Sequence, residues 1–296
     1  MKTPVFTGAA TAIVTPFRDG KIDFDKFGQL IDMQIEAGIA AITVCGTTGE
    51  SSTQTLDEHV ATVDYCVRRV NGRAKVIAGS GSNDTEAALY LSKSAEDSGA
   101  DALLLVTPYY NKATQKGLIA HYTYIADRVS TPIILYNVPS RTGCGIQAKT
   151  YKALSEHPLI NGVKEASGNF TLMADTLALC GDALNMWSGN DDNTVPMMSL
   201  GAKGLISVTA NVIPADVVAM CAAALEGDFR KAAELQLRMQ ALNSALFIEV
   251  NPIPVKAAMN LIGLDVGFTR LPLCDMEEAN LQKLREVMIA YGLTVQ

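Results

Sequence analysis

The stretch Leu159–Asn169, LINGVKEASGN, contains a short apolar run that ends at Lys164. The run is typical of a β-strand, and the following Glu165–Gly168 is typical of a loop. Because side chains alternate along a strand, Ile160, Gly162 and Lys164 share one face. A lysine at the end of a buried strand is uncommon, since an unpaired ammonium group is costly to bury. A single lysine of this kind is usually interpreted as a side chain that reaches solvent. Evidence from other stretches of the sequence is therefore needed to assign a role to Lys164.

Similar apolar runs recur along the chain, with amphipathic segments between them. The eight predicted strands are Ala10–Thr15, Ala41–Cys45, Lys75–Gly79, Ala102–Thr107, Ile133–Tyr136, Ile160–Lys164, Asn185–Ser188 and Gly204–Val208. Apolar residues near helical spacing predict helices at Asp23–Ala37, Leu56–Val70, Thr85–Ser98, Thr114–Val129, Gln147–Glu156, Phe170–Leu179, Asp192–Leu200 and Ala215–Glu226. Strict alternation of strands and helices requires parallel strands with right-handed crossovers. Eight such units over about 225 residues predict an α/β protein with a (β/α)8 TIM barrel.

An open doubly wound sheet is the structural alternative to a barrel. It usually has fewer strands, and the nearest match to its G-x-G-x-x-G motif, Gly79–Asn83, has no third glycine. After Glu226 only helices are predicted, at Asp228–Ala245, Pro254–Ile262 and Met276–Tyr291. We therefore expect residues 1–226 to form the barrel and residues 227–296 to form a helical region packed on it.

The composition argues against several classes of function. The chain has 296 residues, of which 48% are hydrophobic and 19% charged, with a formal net charge of -7 and a pI near 5.0. An acidic protein without basic clusters is not expected to bind nucleic acid. The N-terminus lacks a signal-peptide pattern and no apolar run is long enough to span a membrane, so we expect a cytoplasmic protein. The six cysteines and three histidines are scattered, which predicts reduced thiols and no metal site.

In parallel barrels the active site lies at the carboxyl ends of the strands. The polar residues that follow the predicted strands are Gly46–Glu50, Thr107–Asn111, Tyr136–Arg141, Lys164, Ser188–Asn190 and Ser207–Thr209. Each group has an ordinary structural interpretation as a turn, a cap, packing or solvated surface. Their convergence on one end of the barrel favours a site that contains Lys164, with Tyr136 of the neighbouring strand beside it.

A lysine, a tyrosine and threonines are sufficient for one kind of chemistry. An amine in a pocket of low dielectric loses its proton more easily and attacks carbonyl carbon atoms. The resulting Schiff base acts as an electron sink for making or breaking a C–C bond. Tyrosine and threonine hydroxyls relay the protons, and an arginine holds a substrate carboxylate. These residue types favour an aldolase or a related synthase over a hydrolase.

Four segments carry a family resemblance. The segments Gly46–Ser51, Thr107–Asn111, Tyr136–Gly143 and Gly162–Ala166 resemble those of the dihydrodipicolinate (4-hydroxy-tetrahydrodipicolinate) synthases. That family belongs to the pyruvate-dependent aldolases and lyases of the N-acetylneuraminate lyase superfamily. The resemblance extends from about Thr7 to the C-terminus and includes Asn251–Lys256. Its most specific part is Tyr136 followed twenty-eight residues later by Lys164.

The resemblance implies a reaction and a set of catalytic residues. Lys164 is implied to form a Schiff base with pyruvate, and aspartate 4-semialdehyde is the second substrate of an aldol addition and cyclisation. This reaction serves lysine and diaminopimelate biosynthesis and is implied to need no metal or organic cofactor. Tyr136 is implied to exchange protons and to be linked through Thr47 to Tyr110. In this family Tyr110 comes from the neighbouring subunit of a tight dimer, which implies a homotetramer built as a dimer of dimers.

The resemblance also implies substrate-binding residues. Thr48 is implied to hold the pyruvate carboxylate, and the carbonyl groups of Gly189 and Ile206 to line the pocket. Arg141 is implied to receive the carboxylate of aspartate semialdehyde. Asn190 departs from the pattern, because many relatives have an acidic residue there, but it lies beside the site and leaves the core assignment intact.

Relatives that lysine inhibits have an effector site near Tyr109, at the tight-dimer interface. The residues of this chain that correspond to that site or adjoin it are Ser51, His59, Asn83, Glu86 and Tyr109. Leu56 stands where such relatives have a histidine, and Ala87 where they have a glutamate. Glu86 is turned by roughly 100° from Ala87 if both lie on a helix. We therefore expect lysine to inhibit weakly or not at all.

Two other functions are open. A sialic acid or keto-sugar acid lyase of the same superfamily uses the same Schiff base. Such relatives typically lack an arginine at the position of Arg141 and have a serine where Thr47 stands. A non-catalytic barrel that senses keto acids needs no proton relay, and therefore has no use for Tyr136 beside Lys164. Thr47 and Arg141 together favour the synthase over these lyases, and the presence of Lys164, Tyr136, Thr47 and Tyr110 together argues against a sensor.

Overall fold

The computed structural model describes all 296 residues and contains the predicted barrel. Eight parallel strands close on themselves, because each pairs with the next along the chain and the last pairs with the first. The strands are β1 Gly8–Ala12, β2 Ala41–Val44, β3 Lys75–Gly79, β4 Ala102–Val106, β5 Ile133–Asn137, β6 Ile160–Glu165, β7 Asn185–Ser188 and β8 Gly204–Ser207. The (β/α)8 prediction is confirmed, and the alternative of an open sheet is wrong.

One helix follows each of the eight strands, and together these helices cover the barrel. They are α1 Phe24–Glu36, α2 Leu56–Val70, α3 Thr85–Asp97, α4 Gln115–Ala126, α5 Ala148–Ser155, α6 Phe170–Cys180, α7 Thr194–Ser199 and α8 Pro214–Leu225. Side-chain caps explain where several of them begin. Asp23 caps α1, and Thr55 and Glu58 form a reciprocal capping box at the start of α2. The sequence prediction misses a short hairpin of Phe17–Arg18 with Lys21–Ile22.

Two layers of apolar side chains build the core. The larger layer lies between the strands and the helices, and the smaller one fills the inside of the barrel. In the inner layer the fully buried Trp187 stacks on Phe6, with ring centroids 5.1 Å apart. The Trp187 indole N–H donates to the Phe6 carbonyl at 3.2 Å. The inside of the barrel is therefore a packed core rather than a channel.

Three further helices follow the barrel: α9 Phe229–Ala245, α10 Ile253–Leu261 and α11 Glu278–Tyr291. Helix α9 packs on α8 and α11, and α10 packs on α11. A buried ion pair between Lys256 on α10 and Glu50 ties this region to the barrel. The segment between α9 and α10 reaches the turn after β2 and contributes to the site described below. None of the helices combines the length and the apolar character that a membrane crossing requires.

Candidate active site

Lys164 lies on β6 near the carboxyl end of the barrel and is only 6% exposed. Its Cα is in register with that of Tyr136 on β5, and its Nζ lies 4.4 Å from the centroid of the Tyr136 ring. The buried ion pair of the molecule involves Lys256 instead, and Lys164 has no carboxylate partner. The amine is therefore free to approach a carbonyl carbon in the adjoining cavity.

Two glycines make room for Lys164 and for the indole beside it. A Cβ at Gly189 would lie 3.1 Å from Lys164 Cγ and Cε, and 2.7 Å from Ala166 Cβ. A Cβ at Gly162 would lie 2.6 Å from the Trp187 ring. Any larger residue at either position would displace a neighbour, so close packing explains both glycines.

Glu165 corrects the sequence prediction, which placed it in a loop. It is the last residue of β6, and it is fully buried. Its carboxylate accepts hydrogen bonds from Asn137 Nδ2 at 3.0 and 3.1 Å, from the Tyr151 hydroxyl at 2.8 Å and from the Ser167 backbone N–H at 2.8 Å. These donors compensate for burial of the carboxylate. Burial and the nearby carboxylate raise the pKa of Tyr151 well above its ordinary value, so its hydroxyl stays a donor.

The sequence contains a signal for this contact that the prediction overlooked. Asn137 directly follows Tyr136, and Glu165 directly follows Lys164, so both pairs have the same spacing. Both pairs are also in register between β5 and β6. The buried hydrogen bonds of Glu165 therefore fix the two strand ends that hold Tyr136 and Lys164 side by side.

A cavity of about 210 Å³ opens at Lys164. Of the predicted site residues it brings together Thr47, Thr48, Tyr136, Arg141, Lys164 and Gly189. Its other lining residues are Val138, Ser140, Ala166, Asn190, Val208, Phe247 and Asn251. Ile206 is fully buried in the barrel core and is not among them. No group of three or more His, Cys, Asp or Glu side chains in the structure is arranged to hold a metal ion.

The turn after β2 presents two threonines to this cavity. Thr48 is buried, and its hydroxyl oxygen accepts a hydrogen bond from Asn251 Nδ2 at 2.9 Å. Thr47 is half-buried and lines both this cavity and a second one described below. A backbone hydrogen bond from Gly49 to the Gly46 carbonyl closes the turn.

Arg141 lies on a short helical turn, Pro139–Thr142, that follows β5. It lines both cavities, and its Nη2 donates to the Asn251 carbonyl at 3.3 Å. A carbonyl is a neutral acceptor, so the charge of the guanidinium is not compensated by this contact. Arg141 is therefore suited to receive a carboxylate at the mouth of the first cavity.

Asn251 is a site residue that the sequence prediction did not assign. It precedes α10, is 4% exposed, and its Oδ1 has no hydrogen-bond partner. The N-P-I-P pattern marks this segment in the sequence. Nothing in the local pattern indicates that the segment reaches Thr48, which lies 203 residues earlier in the chain.

Asp191 is a second buried carboxylate that the sequence prediction overlooked. It accepts hydrogen bonds from the Ser207 hydroxyl and from the backbone N–H groups of Val208 at 3.0 Å and Thr209 at 3.3 Å. Burial raises the pKa of Asp191, while these three donors oppose the rise. The carboxylate joins the turn after β7, which includes Asn190, to the end of β8.

Tyr110 lies outside the cavity of its own chain. Its side chain is 89% exposed, and its backbone is left-handed with a φ of 71°. Its backbone N–H donates to the Thr142 carbonyl at 3.3 Å, which places it beside the turn that holds Arg141. An exposed tyrosine at this position is accessible to a second copy of the chain.

A second cavity, of about 410 Å³, adjoins the first and shares Thr47 and Arg141 with it. The predicted effector residues that line it are Ser51, His59 and Tyr109, together with the apolar Leu56 and Ala87. The Nε2–H group of His59 donates to the Gly79 carbonyl at 2.8 Å. Burial lowers the pKa of His59, which favours the neutral ring.

Two of the predicted effector residues, Asn83 and Glu86, do not line the second cavity. The Glu86 carboxylate accepts a hydrogen bond from the Tyr124 hydroxyl at 2.7 Å. The Asn83 carbonyl accepts one from Asn111 Nδ2 at 2.7 Å. Neither residue lines the second cavity, so its walls offer no carboxylate.

Comparisons with known proteins identify relatives of this chain. The sequence profile of the dihydrodipicolinate synthetase family matches residues 5–290. The chain is 52% identical over 291 residues to a 4-hydroxy-tetrahydrodipicolinate synthase of Thermoanaerobacter sp. (strain X514), which covers 98% of each chain. It resembles the crystal structure of dihydrodipicolinate synthase from Aquifex aeolicus with a TM-score of 0.96 and 45% identity, over 98% of this chain and 100% of the other. It resembles a monomeric dihydrodipicolinate synthase variant with a TM-score of 0.95 and 42% identity, over 98% of each chain.

Proposed function

This chain belongs to the dihydrodipicolinate synthetase family, and we propose that it condenses pyruvate with aspartate 4-semialdehyde through a Schiff base on Lys164. The product is 4-hydroxy-tetrahydrodipicolinate, in the route to lysine and diaminopimelate. The observation that carries this proposal is the buried Lys164 amine, which has no carboxylate partner and faces the Tyr136 ring at 4.4 Å. The enzyme is a lyase that acts in the cytoplasm.

The chemistry begins at Lys164. Its neutral amine attacks C2 of pyruvate, the carbonyl oxygen leaves as water, and an imine forms. Loss of a proton from C3 gives an enamine, whose C3 then attacks the aldehyde carbon of the second substrate. The amino group of that substrate finally attacks C2, closes the ring and releases the lysine amine. No metal or organic cofactor takes part in these steps.

Proton transfer is assigned to hydroxyl groups. Tyr136, beside Lys164, gives and takes the protons that imine formation and C–C bond formation require. Thr47 lies in the same cavity and links Tyr136 to Tyr110 of a neighbouring subunit. The 89% exposure of Tyr110 supports this arrangement, because the hydroxyl is accessible to a second chain. The proposed assembly is a homotetramer built as a dimer of dimers.

Substrate binding is assigned to the walls of the cavity. Thr48 and nearby backbone groups hold the pyruvate carboxylate, and the carbonyl group of Gly189 lines the pocket. Arg141, at the mouth, receives the carboxylate of aspartate semialdehyde. The volume of about 210 Å³ supports small substrates. Thr47 and Arg141 together favour the synthase over a sialic acid or keto-sugar acid lyase.

An assay with several substrates tests the choice of reaction. Purified protein is given pyruvate with aspartate 4-semialdehyde, and separately N-acetylneuraminate or 2-keto-3-deoxygluconate. We expect turnover with the semialdehyde and none with the two sugar acids. Turnover of a sugar acid alone would identify the protein as a sialic acid or keto-sugar acid lyase instead of the synthase. A protein that binds pyruvate and turns over none of them would be a keto-acid sensor.

A trapping experiment tests the Schiff base. We expect borohydride in the presence of pyruvate to add a reduced pyruvyl group to Lys164, located by mass spectrometry of peptides. The reason is that Lys164 is a buried lysine without a carboxylate partner, whereas Lys256 is held by Glu50. Lys164→Ala is the matched control and should remain unlabelled. Label on Lys203 or Lys256, or none on Lys164, would contradict the assignment.

A further inference from the structure

Lys256 is buried and has no role in the mechanism above. It lies on α10 and is 2% exposed. Its Nζ donates to Glu50 Oε1 at 2.9 Å, to the Thr15 carbonyl at 3.1 Å and to the Phe268 carbonyl at 2.6 Å. Three acceptors therefore fix the ammonium group in one place.

Glu50 stands at the end of the turn that carries Thr47 and Thr48. Its side chain is completely buried, and its second carboxylate oxygen accepts the Arg270 backbone N–H at 2.9 Å. Its backbone is left-handed with a φ of 55°, and Cys45 at the start of the turn has a φ of 53°. Residues with a Cβ adopt this conformation at a cost, so surrounding contacts have to hold it.

The segment that contains Lys256 also contacts the turn of residues 46–50 at a second point. Asn251, five residues before Lys256, donates from Nδ2 to the Thr48 hydroxyl oxygen at 2.9 Å. The two contacts lie on either side of Gly49, whose carbonyl accepts a hydrogen bond from the Thr15 hydroxyl at 2.7 Å. The turn is thus fixed from the C-terminal region rather than by its own residues alone.

On the premise of the proposed function, we infer that Lys256 and Glu50 are positioning residues for the catalytic turn. Their ion pair fixes the end of the turn, and thereby the places of Thr48, at the pyruvate carboxylate, and of Thr47, in the proton relay. A buried ion pair adds little net stability compared with apolar packing. The ion pair matters for the geometry of the site, because a small displacement of a catalytic group lowers the reaction rate by a large factor.

A second ion pair provides a matched control. Arg270 pairs with Glu58 on α2, and this contact also joins the C-terminal region to the barrel. The pair is more exposed than Lys256–Glu50, and Glu58 makes no hydrogen bond to the turn residues 46–50. Glu58→Gln preserves the capping pattern of α2, since glutamine also serves at that position. This variant weakens the side-chain contact of Arg270 and keeps both groups that donate to the Glu50 carboxylate, Lys256 Nζ and the Arg270 backbone N–H.

The test compares Lys256→Met, Glu50→Gln, the double variant and Glu58→Gln in the full-length protein. Steady-state rates are measured against pyruvate, borohydride trapping is titrated with pyruvate, and thermal melting is followed separately. We expect the first two variants to need at least about tenfold more pyruvate for half-maximal trapping and to lose about tenfold or more in kcat. The double variant should resemble the single ones, because all three remove one interaction. In Glu58→Gln, the pyruvate concentration for half-maximal trapping and kcat should both stay within about twofold of the wild-type values.

Folded variants with unchanged pyruvate dependence and kcat would overturn the inference, even with a lower melting temperature. An equal change in Glu58→Gln would also overturn it, because general loosening would then explain the effect. If Lys256→Met does not fold, the isosteric Glu50→Gln decides the question. Wild-type protein without an adduct on Lys164 would instead refute the proposed function, so the two failures are distinguishable.

Discussion

In the proposed function, Arg141 is the residue on which the choice of second substrate depends. Its guanidinium lies at the junction of the two cavities and contacts only a neutral carbonyl, that of Asn251. In the proposed mechanism, Lys164 and Tyr136 account for the attack on pyruvate without Arg141. The two halves of the reaction are therefore separable by substitution at single residues.

Arg141→Ala should keep adduct formation and lose turnover. A lost charge-assisted hydrogen bond costs about 1.5–3 kcal/mol, or about 10- to 150-fold in kcat/KM for aspartate semialdehyde. Trapping with pyruvate and borohydride should stay near the wild-type level. Arg141→Lys is the control, and should be intermediate because it keeps the charge without the planar fork. Normal turnover by Arg141→Ala would contradict the assigned role.

Pairing between elements explains why the site residues meet. The register of β5 and β6 sets Tyr136 beside Lys164, and the buried contact of Asn137 with Glu165 fixes that register at the strand ends. The contact of α2 with the C-terminal region differs from the buried contact of Asn137 with Glu165, because it is partly exposed to solvent. It depends on Arg270 and Glu58, whose side chains are 19% and 29% exposed, so solvent pH reaches it.

The Arg270–Glu58 contact should make stability depend on acid. The hydrogen bond from Arg270 is the largest cause that lowers the pKa of Glu58 below its ordinary value of 4.5. A lowered folded-state pKa stabilises the protein above the unfolded-state value, and the stabilisation disappears as pH falls through the folded-state pKa. Glu58→Gln should be less stable than wild type at pH 7, by about 1 kcal/mol or less. Denaturant titrations should find this difference shrinking below about pH 4.5. A difference that stays constant down to pH 3 would contradict the prediction.

At the scale of the whole molecule, the cavity of a single chain does not bring together all the residues that the proposed function assigns to the reaction. Tyr110 is 89% exposed and lines neither cavity of its own chain. One similar solved structure is a monomeric variant, so family membership alone does not fix the assembly. The role of Tyr110 makes the assembly testable through activity.

We expect sedimentation to give a homotetramer and mixed variants to complement each other. Tyr110→Phe lacks the relay hydroxyl, and Lys164→Ala lacks the amine. In a mixed dimer one site combines an intact Lys164 with an intact Tyr110 from the other subunit. Random pairing should then restore up to about a quarter of wild-type activity. A fully active monomer, or no recovery after subunit exchange, would contradict the shared site.

Lysine should inhibit weakly or not at all at millimolar concentrations. Leu56 and Ala87 line the second cavity, whereas the Glu86 carboxylate is engaged by Tyr124. Each missing charge-assisted contact to the effector is worth about 1.5–3 kcal/mol. The double variant Leu56→His with Ala87→Glu should gain inhibition, as measured by steady-state titration. Strong inhibition of the wild type below a millimolar would contradict this, and would point to Glu86 as a ligand after rearrangement.

The sequence by itself determined the barrel and the placement of Tyr136 beside Lys164 on neighbouring strands. Eight apolar runs with helical segments between them are local patterns, and a local pattern reports whether a side chain faces the core or solvent. The spacing of Tyr136 and Lys164 was also sufficient, because adjacent parallel strands bring equivalent positions together. The positions of Thr47 and Arg141 after predicted strands assigned both to the same end of the barrel, where the structure places them, and the family resemblance supplied the roles expected of them.

Only the tertiary structure decided the contacts that connect distant parts of the chain. Asn251 meets Thr48 across 203 residues and Lys256 meets Glu50 across 206, although each segment alone resembles an ordinary helix start or turn. Glu165 was mistaken for a loop residue, because a charged side chain next to glycine and serine is usually solvated. Periodicity reports the polarity of an environment but never the identity of a partner. Partners are fixed when the barrel closes and the C-terminal helices pack against it, and the positions of the catalytic groups depend on that step.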